Sequence, residues 1–294
     1  MSKVVIVRAK NIFSNGSINT KTLDRMVEKG LLTLTDQTHL KDACPSLLPS
    51  SGPVGIKINT LGGKRLSTRP ETGFSLARAF AEGPLEEKDI IIWDRSNREL
   101  RSAGFRLNRR LSGIRVYGTD TEGVGYSRTL VSHKNVGSLF SVIQQRVRAS
   151  VSLAILKDHG LAGITAGMKN YFGAIHNPNK YHNDRCDPYV AEVFETDLVR
   201  KKHSLTVIDG LIIQYHRGPS YHARWAAREG VLIFSEDPVS ADYVGWQLIE
   251  KLRAKAGLPS LKQENREPLY LKTAERMGLG TADPGRINIL EVEV

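Results

Sequence analysis

Short apolar runs alternate with amphipathic stretches along almost the whole chain. Residues 4–9, 54–59, 89–93, 114–117, 151–156, 205–214, 231–234 and 287–292 read as strands. The run DIIIW at 89–93 is near-continuously apolar, as a parallel strand buried on both faces should be. Between them, residues 17–34 place Leu23, Met26, Val27 and Leu31 on one helical face. Thr68-Arg69-Pro70-Glu71 reads as a capping box opening a helix that runs to about residue 82. Residues 95–103 and 138–147 form shorter helical patterns, and 36–53 holds an amphipathic piece followed by a Pro/Ser/Gly loop. Asp237-Pro238 opens the clearest helix, with Val239, Tyr243, Trp246, Ile249 and Leu252 on its apolar face and Gly257 and Pro259 beyond its end. A last helix is expected over 268–277. Strands and helices in alternation predict an α/β fold: a mostly parallel sheet flanked by helices, with long functional loops after strand ends. One domain over residues 1–294 is expected, with 120–137 (a candidate hairpin) and 176–204 as the long loops.

One apolar run leads into chemistry. Leu153–Leu156 ends in Lys157, Asp158 and His159. A small-residue segment (Ala162, Gly163, Thr165, Ala166, Gly167) follows, then Lys169 and Asn170, then His176, His182, Cys186 and Asp187. Ligands of open α/β sheets sit beyond the carboxyl ends of strands, where this stretch begins. Asp158 beside His159 is expected to orient the imidazole as an acid/base, with Lys169 as its partner. The alternative is a His159 that merely caps the next helix and a Lys169 that snorkels to solvent. His176, His182 and Cys186 are candidate metal ligands by residue type, although H-x5-H-x3-C is no established metal spacing; Asn-Pro and Asp-Pro turns equally explain this loop.

The loop 61–67 follows a strand and precedes a helix. There Gly62, Gly63, Lys64 and Arg65 could cradle a phosphate or carboxylate. Asp94, Asp120 and Asp209 stand at or near strand ends, where an acid either contributes to a site or caps the next element. The sequence lacks a Walker A loop, a G-x-G-x-x-G after any strand and a G-x-S-x-G elbow, which disfavours nucleotide-binding and α/β-hydrolase readings.

Composition narrows the remainder. The chain has 294 residues, 40% of them hydrophobic and 25% charged, and no apolar run long enough for a membrane span. Its two cysteines, Cys44 and Cys186, fit two free thiols or a single disulfide. The net charge of +11 includes seven arginines between Arg95 and Arg115 against one acid, Glu99. Such a patch attracts anions. Without interleaved aromatics, nucleic acid is disfavoured as a partner, and a small anionic substrate is preferred. If Met1 is native the protein is expected in the cytoplasm; if an export signal preceded it, outside.

Together, VGIKIN-TLGGKRLSTRPE, IIIWDR, YGTD, LKDHGLAGITAGMKNYFGAIHNP, CDPYVAE, IDG and EDPVSAD resemble the domain of unknown function 362 family over about residues 53–280. Some relatives carry iron–sulfur segments and many an export signal. The resemblance thus implies a possible exported redox partner, although two cysteines cannot supply a four-Cys cluster. His159, Ala162, Gly163, Thr165, Gly167 and Lys169 also match the spacing of a motif in the nickel-pincer lactate racemases, with Thr165 in place of Ser. That similarity implies His159 as acid/base, Lys169 as anchor of a nickel pincer cofactor, and His176 or His182 as a metal ligand. The expected function is a metal- or cofactor-dependent enzyme that moves a proton or hydride on a small hydroxy acid or carboxylate. The alternatives are a polyanion-binding module and a redox partner.

Overall fold

The computed structural model describes residues 1–14 and 16–294. Nine strands form one sheet: β1 (Ser2–Arg8), β2 (Val54–Ile58), β3 (Ile90–Asp94), β4 (Arg115–Gly118), β5 (Ala149–His159), β6 (Gly163–Thr165), β7 (His203–Gln214), β8 (Ala226–Ser235) and β9 (Ile287–Glu293). The order across the sheet is β9-β1-β8-β7-β5-β2-β3-β4, with β6 folded back antiparallel on the end of β5. All strands run in one direction except β8 and the short β6. The expected α/β class with a mostly parallel sheet is what the chain adopts.

Helices cover both faces. On one face lie α1 (Thr20–Thr35), α2 (Leu40–Leu47), α3 (Pro70–Ala81) and α4 (Asn97–Ser102), which bury Leu23, Met26, Leu31, Leu76 and Phe80 against Val5, Val7, Ile56 and Ile92. The other face is covered by α5 (Val142–Arg146), α6 (Tyr189–Glu195), α7 (Asp197–Arg200), α8 (Pro238–Lys255) and α9 (Tyr270–Arg276), over a core containing Leu156, Ile208, Ile233, Val239 and Ile249. Two unlike cores on either side explain why β2 and β3 are buried at every position.

Several boundaries differ from the sequence-based expectation. β5 does not stop at residue 156 but runs through Lys157, Asp158 and His159, because β6 pairs with its end: Thr165 opposite Lys157 and Gly163 opposite His159. The helix expected over 138–147 shrinks to Val142–Arg146, since Val136–Ser138 pairs with Val131–His133 as a hairpin. The expected loop 176–204 contains α6 and α7. The Thr68 capping box does not form. The Thr68 hydroxyl instead donates to the Leu153 carbonyl and accepts from the Asn59 N–H, tying the end of β2 to β5, while Pro70 opens α3 unaided. At the start of α8 the cap is as expected: Asp237 accepts from the Val239 and Ser240 N–H groups.

Candidate functional site

β2, β3 and β5 end side by side, and the chain beyond their carboxyl ends closes around a cavity of about 330 Å³. Its floor is an ion pair. Lys57, next to last in β2, reaches Asp94 at the end of β3 at 2.7 Å. Lys57 Nζ also donates to the Ile58 carbonyl and to Asn170 Oδ1. Asp94 accepts further bonds from the Thr60 N–H and hydroxyl and the Arg95 N–H. Burial opposes the charge on Asp94, but the Lys57 ammonium and these donors outweigh it and hold the carboxyl below its ordinary range. The turn carrying Gly173 passes directly over the pair: a Cβ there would lie 2.6 Å from Lys57 Nζ and 3.0 Å from Asp94 Oδ1.

Two more lysines face the same cavity. Lys157 on β5 is 1% exposed, and among the described residues the only hydrogen-bond partner of its Nζ is the Leu66 carbonyl at 3.5 Å. Burial, and then repulsion from Lys169, lower it to about 8. Lys169, 7% exposed, lies 3.2 Å from His182 Nε2 and 4.3 Å from the centre of the Phe172 ring. Burial brings it also to about 8. Neither lysine has a carboxylate at ion-pair distance among the described residues, whereas Lys57 has Asp94 and Arg95, also on the wall, has Glu99.

His159 and His182 stack with ring centres 5.7 Å apart. His159 Nδ1 accepts from the Leu161 and Ala162 N–H groups, so its proton sits on Nε2. Burial, the Lys169 charge and the neighbouring bases push its protonation down to about 2, so the ring stays neutral. His182 is held the other way: Nδ1–H donates to the Pro178 carbonyl, leaving the Nε2 lone pair for Lys169. Burial and the Lys169 charge lower its affinity for a proton as well.

The expected pairing of Asp158 with His159 is corrected here. Neighbours on a strand point to opposite sides of it. Asp158 accepts instead from the Gly218 N–H and from Arg266 at 2.9 Å, bracing the wall behind the pocket. Asn170 is a positioning group: its Nδ2 donates to the Lys57 carbonyl and to Ser152. Gly62, Gly63, Lys64 and Arg65 lie outside the lining. Gly62 is needed because a side chain would strike the Leu66 carbonyl, Gly63 takes φ +62°, and Arg65 rests over the Tyr221 ring. Asp120 accepts from the Asn97 N–H at the start of α4. Asp209 is a buried latch to Arg69 and Thr72 on and before α3.

The proposed metal ligands do not converge. His176 Nδ1 accepts from the Leu139 N–H, and its ring lies against Tyr126. Cys186 is a fully buried free thiol whose proton is held by burial, and Asp187 has a buried oxygen without a partner. No group of three His, Cys, Asp or Glu side chains arranged for a metal occurs among the described residues. At the pocket itself, His159 presents an N–H rather than a lone pair, so the residues present do not fit a His-rich nickel site.

The sequence assigned no role to Lys57, Lys157 or Asp242. Lys157 stood named at the end of its apolar run, and Lys57 was visible as a lone charge inside the apolar strand VGIKI. Asp242, on α8, accepts from the Gly167 and Met168 N–H groups and the Tyr270 hydroxyl, and so fixes the turn that delivers Lys169. Nothing local in the sequence links Asp242 to that turn.

No helix is long and apolar enough to cross a membrane among the described residues. No curated protein matches the chain. Among solved structures, one from Thermotoga maritima is similar, with 10% identity and a TM-score of 0.47 over 80% of this chain; the match spans 59% of that protein's length. A family model described as a domain of unknown function, DUF362, matches residues 54–247, a span that runs from β2 into α8 and includes every lysine and histidine of the pocket. The chain therefore belongs to the DUF362 family.

Proposed function

We propose that the pocket binds a small carboxylate or hydroxy acid and moves a proton at the carbon next to the carboxylate. The observation that carries this reading is the pair of buried lysines, Lys157 and Lys169, that face one cavity, have no carboxylate at ion-pair distance among the described residues and are lowered by burial to about 8. A buried ammonium without a counter-ion is either neutral or awaits an anion. With one proton on the pair, Lys157 holds the substrate's carboxylate and the neutral Lys169 is the base. His159 Nε2–H is a fixed neutral donor for oxygen on the substrate. His182 orients Lys169 through Nε2. Lys57 and Asp94 cancel each other's charge and set the floor.

Incubation with a panel of small 2-hydroxy acids in D₂O, followed by proton NMR, tests the reading. Exchange of the carbon-bound proton is expected with at least one acid and is lost in Lys169→Met. Absence of exchange across the panel with folded wild-type protein would overturn it.

A further inference from the structure

We infer that the pocket is matched to a dianion, the form a carboxylate takes once a proton has left its neighbouring carbon. The inference deepens the proton-transfer reading and takes its chemistry from it. Four cationic side chains line the cavity, and two of them are already compensated: Lys57 by Asp94 at 2.7 Å and Arg95 by Glu99 at 3.1 Å. Lys157 and Lys169 remain, both more than nine-tenths buried and facing the same space. Among the described residues, the only hydrogen-bond partners of their ammonium nitrogens are the Leu66 carbonyl and His182 Nε2, neither of which carries a negative charge. Two buried ammoniums facing one small cavity are balanced by two negative charges in it.

Charge is conserved through the step. At the outset one ammonium, on Lys157, faces a monoanionic substrate. The C–H bond breaks, its electron pair delocalises into the carboxylate, and the proton forms a new N–H bond on Lys169. Two ammoniums then face the dianionic aci-carboxylate. Attraction therefore grows as the reaction proceeds, which is the condition for catalysis rather than mere binding. His159 Nε2–H adds a neutral donor that does not disturb this balance.

Oxalate and glycolate share a two-carbon skeleton and differ in charge, so they are the probes. Calorimetric titrations run near pH 8 in buffers of different ionisation enthalpy give affinity and proton uptake together. Oxalate is expected to bind about tenfold tighter than glycolate or better, and to draw a proton onto the protein as it binds. Lys157→Met and Lys169→Met should each abolish the preference, and Lys169→Met should abolish the proton uptake. Lys64→Met, which lies outside the cavity, should change neither and so excludes general attraction to a basic protein. Equal affinity for the two probes, or oxalate binding without proton uptake, would overturn the inference. The NMR exchange experiment separates the two ideas. Exchange without oxalate preference removes the dianion match alone, and oxalate preference without exchange removes the proton-transfer reading alone.

Discussion

Lys57 and Asp94 sit on neighbouring parallel strands and meet at 2.7 Å beneath the pocket, almost wholly shielded from water. An ion pair of this kind gains little over an apolar pair, but removing one partner strands the other charge. Asp94→Asn is therefore expected to cost about 3–5 kcal/mol of stability. It also turns an acceptor oxygen into an N–H₂ facing the donors of Thr60 or Arg95. Denaturant unfolding of the two proteins measures this. A change below about 1 kcal/mol would show that the pair is not desolvated as described.

Gly173→Ala tests the turn over the same pair. The added methyl would lie within contact of both Lys57 and Asp94, and overpacking of this kind costs about 1–3 kcal/mol. Gly137→Ala, where no atom lies within 4 Å of the new methyl, is the control. A lowered thermal midpoint confined to Gly173→Ala is the expected result.

The pH dependence follows from the two free lysines. Both are lowered to about 8, and each repels the other, so they titrate as a coupled pair. Well below pH 8 both are charged and the base is missing; well above it the substrate's counter-ion is missing. The rate constant kcat/KM is expected to pass through a maximum near pH 8, with an acid and an alkaline limb. Lys157→Met should remove the alkaline limb. A flat profile across this range would rule out lysine as the base.

Asp242 carries a separate pH signature. Burial pushes its carboxyl up to about 7, despite the pull of the Met168, Tyr270 and Gly167 donors. Between the ordinary carboxyl range and about pH 7 the folded protein holds a proton that the unfolded chain has released. Its contribution therefore makes stability fall as pH rises through that window. Unfolding free energies measured across the window should show this slope in the wild type and lose it in Asp242→Asn.

Most of the sheet was legible because buried parallel strands announce themselves as apolar runs such as DIIIW. The focal stretch from Lys157 to His182 was also found, since its polar residues follow such a run directly. What the sequence hid was partnership. Asp158 adjoins His159 in the chain yet turns to Arg266, 108 residues away, because the strand extends further than its apolar part. Lys57 looked like one polar interruption of VGIKI until β3 placed Asp94 beside it. His176 and His182 both read as metal candidates, but the turns between them send the His176 ring to Tyr126 and the His182 ring to His159.

The pleat of β5 gives the site a vulnerability that no substitution shares. Its last three side chains alternate between the cavity and the Arg266 wall, so their order is spatial as well as sequential. A single residue inserted upstream in β5 would exchange the two sides. The Asp158 carboxylate would then enter the cavity as an internal counter-ion to Lys169, while Lys157 and the His159 imidazole would turn out of it toward Arg266. The protein should therefore tolerate conservative replacements along this strand far better than any change in its length.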